Sequence, residues 1–310
     1  MNQRLPAAKG ALSSLPPATS SSVAQASMGM LLMLAAVSTF SLLDASGKRA
    51  AQDLPVIEVT WFRFAIHFLI VALVLNPWTS SDSWKMKRPG LQMVRGLFQA
   101  GSAGLSFLAL SHLAMAQALS IQFTTPILVA LLSIVLLGER VAPSRWLAII
   151  IGFAGVVIVS GLWHGIGYVD PAIIYSLGSV TLGAFYIIST RRLAPTESVG
   201  SMLLMMGGLP ALVLTPMVMF VWETPDNAAT WMAVIGVGLF GALGHGLLIL
   251  AHRYADASAL APVQYAQLIA ASIVGFALFG EVPSVSTLVG AVLLVASGFL
   301  AARAPSHPKE

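Results

Sequence analysis

The chain has 310 residues, of which 57% are hydrophobic and only 9% charged, with a formal net charge of +4 and no cysteine. Soluble domains carry about 25% charged residues, so most of this surface must be covered by lipid, and no soluble domain is expected. The missing thiols exclude disulfides and thiolate metal sites, and the positive balance has a better account than nucleic acid.

Residues 1–27, rich in Ser, Ala and Pro, read as a disordered cytoplasmic tail. They lack the apolar h-region of a cleaved signal peptide. A helix needs roughly 20 apolar residues to cross the hydrocarbon. Runs of that kind follow near 28–48, 56–76, 92–111, 116–137, 146–163, 171–190, 200–222, 230–251, 258–280 and 285–302. Residues 303–310 form a second short polar tail. The reading is an all-α integral membrane protein with ten transmembrane helices.

Basic residues orient these spans. With the N-terminus in the cytoplasm, Arg4, Lys9, Lys85, Lys87, Arg88, Arg140, Arg145, Arg191, Arg192, Arg253, Arg303 and Lys309 fall inside. Only Lys48 and Arg49 fall outside, and Arg63 and Arg95 lie within helices. Both termini are therefore expected in the cytoplasm. Tryptophans at proposed helix ends, among them Trp78, Trp146, Trp222 and Trp231, match interfacial belts.

The chain also repeats itself. A shift of 142 sets Gln122 on Gln264, Ile127 on Ile269, Leu136 on Leu278, Gly138 on Gly280 and Glu139 on Glu281. A shift of 143 sets Lys48 and Arg49 on Arg191 and Arg192. The nearly constant offset divides the chain into repeats over 28–163 and 171–302. Five helices is an odd number, so the second copy enters the bilayer with opposite polarity. Two inverted repeats around a central site are a transporter plan.

The stretches "LGERVAPSRWLAIIIGFAGVVIV" after "TTPILVALLS", and "FGEVPSVSTLVGAVLLVASG" after "APVQYAQL", resemble the two blocks of the EamA-type branch of the drug/metabolite transporter superfamily. "DASGKRAAQDLPVIEVTWFRF" is similar to members of that family too. The resemblance spans roughly 28 to 302 and implies ten helices, inverted five-helix repeats and alternating access. Relatives of this kind move amino acids, nucleotide-like metabolites, flavins, opine metallophores and toxic compounds.

Ionisable groups inside a span are costly, so each is a site candidate. Asp44 lies about 24 Å along the first helix and Arg63 about 10 Å into the second, at about 1.5 Å per residue. They reach similar depth from opposite directions, with His67 one turn below Arg63. The three form either a buried ion pair locking two helices or a coupling site for protons or substrate charge. Lys48, one turn beyond Asp44, competes for its carboxylate. Arg95 is expected to snorkel to the cytoplasm.

Helices four and nine carry the substrate-binding candidates Gln122, Thr125, Gln264, Tyr265 and Gln267. Gln264 and Gln267 are three residues apart and share a helical face. Amides near the midplane bind polar solutes directionally, although helix-to-helix hydrogen bonding is the blander alternative. His245 and His252 share a face without a carboxylate, so no metal is expected, and no cofactor. Glu139 and Glu281, at the ends of these helices, are expected to accept N–H groups from the start of the following helix.

The function expected is secondary-active transport, by alternating access, of a small polar organic metabolite: an amino-acid-like, opine-metallophore, nucleotide-like or flavin compound. The membrane is a bacterial inner membrane. The alternative is an intramembrane enzyme, but the chain has no G-x-S-x-G or H-E-x-x-H element. Partners are a small-molecule substrate and the lipid bilayer, with no nucleic acid and a homodimer left open.

Overall fold

The computed structural model describes residues 20–76, 78, 80–137, 143–164, 169–255 and 257–303. Among them the regular structure is entirely helical. The helices are α1 (Ser20–Ala50), α2 (Val56–Val74), α3 (Pro89–Leu110), α4 (Met115–Gln122), α5 (Thr125–Leu137) and α6 (Pro143–Val159). The second half holds α7 (Ile173–Leu193), α8 (Val199–Val218), α9 (Ala228–Tyr254), α10 (Ala257–Gln264), α11 (Ala266–Phe279) and α12 (Val285–Arg303).

Six segments among the described residues are long and apolar enough to cross a membrane: Gln25–Ala50, Val56–Val74, Ile173–Leu193, Val199–Val218, Ala228–Tyr254 and Pro262–Phe279. Met115–Val129, Trp146–Val159 and Val285–Leu300 are shorter apolar helices. The 22-residue α3 is long enough but less apolar, because it buries Gln92, Arg95 and Gln99.

Two boundaries differ from the sequence reading. Helix α1 starts at Ser20, so residues 20–27 are helical rather than tail. Once a helix is nucleated, each further residue adds a hydrogen bond at low cost, and Val23, Ala24, Gln25 and Ala26 offer no breaker. The fourth and ninth apolar runs are not continuous helices: each is broken, at Phe123–Thr124 and at Tyr265.

The first break has a local cause. The Thr124 hydroxyl donates to the Ile121 carbonyl at 2.7 Å and the Thr125 hydroxyl to the Gln122 carbonyl at 2.7 Å. Side-chain bonds of this kind compete with the helical ladder. Pro126 then sits in the first turn of α5, where its missing N–H costs nothing. At the second break, Pro262 withholds a ladder donor inside α10, and the Tyr265 N–H tightens onto the Pro262 carbonyl at 3.3 Å. Subtracting the repeat shift from 265 gives 123, so the two breaks occupy equivalent positions.

Packing between helices also comes in matched sets. Helix α1 lies along α9 as α7 lies along α3; α1 meets α11 as α7 meets α5; α2 meets α9 as α8 meets α3. The pairs α2–α8 and α6–α12 are their own counterparts. In the α6–α12 crossing, Gly155 and Gly290 each face the other's carbonyl oxygen, at distances of 3.0 and 2.8 Å from where a Cβ would stand. Small residues allow this close backbone approach where lipid tails supply no hydrophobic drive.

Carboxylates tie the loops across the halves. Glu197, before α8, accepts the backbone N–H groups of Lys87 and Arg88 at 2.9 and 2.7 Å. Glu58, in the first turn of α2, accepts the Glu223 N–H at 3.0 Å. Asp53, in the α1–α2 turn, takes Arg49 at 2.8 Å and the Thr230 hydroxyl. The Arg49 bond, with the Thr230 hydroxyl adding to it, holds the Asp53 carboxyl below the usual carboxylate range.

Candidate functional site

A cavity of about 310 Å³ opens where α1, α2, α3, α4, α7, α9 and α11 converge beside both helix breaks. Its size is at the lower end for small-molecule sites. Asp44 of α1 and Arg63 of α2 supply opposite charges to its wall. Gln99, Ser102 and Ser106 line it from α3, Gln122 and Thr125 from the first break, Ser179 from α7, His245 from α9 and Gln267 from α11. Phe40, Leu43, Leu110, Leu119 and Phe123 supply apolar lining.

Hydrogen bonds set part of this polar surface. The Gln122 side-chain amide donates to the Ser179 hydroxyl at 2.9 Å and to the Ser106 hydroxyl at 3.3 Å. The Ser179 hydroxyl donates to the Ser102 carbonyl at 2.8 Å, and the Ser102 hydroxyl returns a bond to the Ser179 carbonyl at 2.9 Å. This reciprocal pair clamps α3 against α7, and the Gln122 amide is tied to the same wall through Ser179 and Ser106. The side chains of Asp44 and Arg63 are not in ion-pair contact; the ion pairs among the described residues are Lys48–Glu281, Arg49–Asp53 and Lys85–Asp82. Arg63 instead lies over the rings of Phe64 and Phe107, at 5.4 and 5.5 Å. Phe107 in turn presses on Gly47 of α1, where no Cβ would fit.

Of the residues singled out from sequence, Asp44, Arg63, Gln122, Thr125 and Gln267 face this one cavity. Three do not. Gln264 is exposed, on α10, because the break at Tyr265 interrupts the face that it was expected to share with Gln267. Tyr265 packs against Phe123 and Phe299, with ring centroids 5.1 and 5.2 Å apart. His67 is buried behind the wall, its ring 6.0 Å from His245 and its Nε2 without a hydrogen-bond partner among the described residues. His245 therefore neighbours His67 and Phe40.

Three further expectations are corrected. Arg95 does not snorkel. It is buried, and donates to Thr190 at 2.8 Å, Gln92 at 3.3 Å, the Met202 carbonyl at 3.1 Å and Tyr186 at 3.1 Å. These acceptors, on α3, α7 and α8, satisfy its fork more fully than a route to water would. Lys48 does not compete for Asp44: it reaches Glu281 at 2.5 Å and the Leu113 carbonyl at 2.6 Å. Glu281 accepts an N–H from a helix start, as expected, but that of Met115 in α4 at 2.8 Å rather than one in α12. The start of α12 is served by Ser284, whose hydroxyl accepts the Thr287 N–H. Left-handed Gly280 (φ 68°) turns the chain after α11 and returns Glu281 towards α4. Glu139 lies outside the described residues.

Sequence reasoning passed over Ser102, Ser106, Ser179 and Phe40, and weighed His245 only as a metal ligand. Gln99, Ser102 and Ser106 recur at helical spacing on one face of α3, a polar stripe that marked the wall. Ser179 and Phe40 carry no such signal.

The EamA-like transporter family model matches residues 27–161 and again 170–303. The chain belongs to the EamA-like transporter family. It is 27% identical over 267 residues to the S-adenosylmethionine uptake transporter of Rickettsia prowazekii, covering 86% of this chain and 90% of that one. It is 27% identical over 270 residues to the pseudopaline exporter CntI of Pseudomonas aeruginosa, covering 86% and 93%. The riboflavin transporter of Vibrio cholerae is 25% identical over 276 residues, covering 87% and 91%. A crystal structure at 18% identity superposes with a TM-score of 0.61 over 90% of this chain and 96% of the other, a likeness of fold. The family match and the long apolar segments make the chain a multi-pass membrane transporter.

Proposed function

We propose that this protein is a secondary-active carrier that moves a small polar organic metabolite across a bacterial inner membrane by alternating access. The carrying observation is the cavity itself. Charged, amide and hydroxyl groups from both halves line it, beside two helices broken at equivalent positions. Transporters built from repeats bind near the bilayer midplane, with discontinuous helices at the site. Non-helical backbone at that depth is tolerated where it lines a cavity.

In this reading α4 with α5, and α10 with α11, each count as one span, giving ten. The matched packing sets support two five-helix repeats of opposite polarity, and the basic-residue distribution supports cytoplasmic termini. Gln122, Thr125 and Gln267 contact the substrate; Asp44 and Arg63 supply the site's charge. Tyr265 shapes the break beside it, Gln264 stands apart, and His67 backs His245. Relatives named for S-adenosylmethionine, pseudopaline and riboflavin agree with a polar, metabolite-sized cargo.

Flux in reconstituted vesicles tests the proposal. Uptake from a metabolite mixture should exceed that of protein-free vesicles and respond to an imposed proton or solute gradient. Gradient-independent chemical conversion of a solute, without its movement, would instead identify an enzyme. Reporter fusions after Gly167 and Pro225 should read as periplasmic and after Arg88 and Arg192 as cytoplasmic; the reverse pattern overturns the orientation.

A further inference from the structure

Basic residues from distant parts of the sequence meet at one end of the helix bundle. Lys85, Lys87 and Arg88 lie in the connection between α2 and α3, Arg191 and Arg192 in the last turn of α7, and all five are exposed. The Arg88 guanidinium donates to the Arg192 carbonyl at 3.3 Å, which fastens the start of α3 to the end of α7. The connection itself is pinned. Glu197 accepts the Lys87 and Arg88 N–H groups, the Trp84 indole donates to the Leu75 carbonyl at 2.6 Å, and Ser83 presses on Gly200 of α8, where no Cβ would fit. Two carboxylates adjoin the five cations and leave a clear positive excess. Asp82 takes Lys85 at 2.8 Å, and Glu197 is buried beneath the connection. Among the described residues, Lys87, Arg88 and Arg191 enter no ion pair.

Membrane orientation asks only for a number of basic residues on one side. It does not ask that cations 104 residues apart be fastened together on a pinned platform. Over the next turns of α3, Met93, Val94 and Leu97 are exposed, so apolar surface follows the charge along the helix. An anionic headgroup above acyl chains has the complementary profile, and basic clusters between spanning helices take such headgroups. We propose that the joined ends of α3 and α7 bind an anionic phospholipid, its phosphate on Lys87, Arg88 and Arg191 and an acyl chain along the exposed face of α3. The guanidinium groups meet the phosphate oxygens in the bidentate manner that such pairs favour. Arg88 belongs to the first half of the chain and Arg191 to the second, so the bound lipid bridges the two.

The lipid site needs a membrane but not the carrier reading, so its test does not use transport. The full chain is placed in nanodiscs of equal parts phosphatidylglycerol and phosphatidylcholine and released into native mass spectrometry. The lipid retained should be phosphatidylglycerol. Lys87→Gln and Arg191→Gln should each lower its retention about fivefold, the equivalent of about 1 kcal/mol per basic residue near an anionic surface, and Arg191→Lys should keep most of it. Arg253→Gln is the charge-matched control. Arg253 stands at the end of α9, where Ala255 adjoins Gly29 of α1, and its loss should leave retention unchanged. Equal retention of the two lipids overturns the site. So does an equal fall in Arg253→Gln, or undiminished retention in a monodisperse Lys87→Gln, Arg191→Gln double variant; either leaves only diffuse surface charge. Full displacement of the lipid by inorganic phosphate overturns it in favour of a free anion.

Discussion

Glu281→Gln isolates a single charge interaction. Glu281 joins the end of α11 to the Met115 N–H at the start of α4, and pairs with Lys48 at the end of α1. The pair is mostly out of solvent, with side-chain exposures of 8% and 17%. A glutamine oxygen can still accept the Met115 N–H, so the substitution removes the charge and leaves Lys48 buried with the Leu113 carbonyl. Breaking a buried pair on one side typically costs about 3–5 kcal/mol. The partial exposure of Glu281 favours the lower figure. In the proposed orientation the contact joins the periplasmic ends of α1, α4 and α11, and the prediction is that it closes that side of the cavity. A penalty of about 3 kcal/mol borne only by the closed state shifts its balance with the open state by a factor of about 150. The chain has no cysteine, so Ala118→Cys, in the cavity wall, places one thiol in a silent background. Labelling of that thiol in intact cells by a membrane-impermeant maleimide should rise steeply when Glu281→Gln is added. Adding Lys48→Met as well strands no charge; it should recover thermal stability while labelling stays high. A large fall in melting temperature with unchanged labelling would refute the gating role and make the pair purely structural.

Other outcomes are equally specific. Gln267→Ala should weaken apparent affinity about three- to tenfold, the loss of one hydrogen bond worth about 0.5–1.5 kcal/mol, whereas exposed Gln264→Ala should leave it unchanged; concentration-dependent vesicle uptake measures both. Arg95→Ala should lower the melting temperature sharply, since bonds to a charged group are worth about 1.5–3 kcal/mol each, yet leave the KM of surviving protein unaltered because Arg95 lies off the cavity wall. Asp53 has a folded-state pKa below its unfolded value, so its stabilisation is present above the unfolded value and fades as pH falls through the folded one. With its side chain 34% exposed, the term should not exceed about 1 kcal/mol. Asp53→Asn should erase that part of the acid-side slope in thermal unfolding, and an unchanged slope would remove Asp53 from the account.

Much of the architecture was legible because lipid imposes length and polarity on every span. The apolar runs, the near-constant offset and the carboxylates at matching ends are one-dimensional signals. The cavity was half legible. Asp44 and Arg63 stand out because charge is rare in such helices, and Gln122 and Gln267 because amides are scarce there. Gln264 misled because helical periodicity assumes an unbroken helix, and the interruption at Tyr265 depends on Pro262 three residues earlier. Ser102 and Ser179 were passed over because a hydroxyl in an apolar helix most often bonds its own backbone, as Thr60 does to Val56. The Lys48–Glu281 contact joins opposite repeats, and no local spacing announces it.

The contact between Phe123 and Tyr265, with centroids 5.1 Å apart, has a geometric meaning of its own. The two residues correspond under the repeat shift. In the proposed pair of inverted repeats, equivalent residues that touch straddle the axis relating their halves, which places that axis between these rings. When a carrier of this plan passes from one face to the other, the halves exchange conformations, and contacts away from the axis are traded for their mirror counterparts. A contact on the axis is its own counterpart. The ring pair is thus the fixed point of the exchange: it can persist in both end states and favours neither, so the balance between them is left to the groups at the rim and to the solute between.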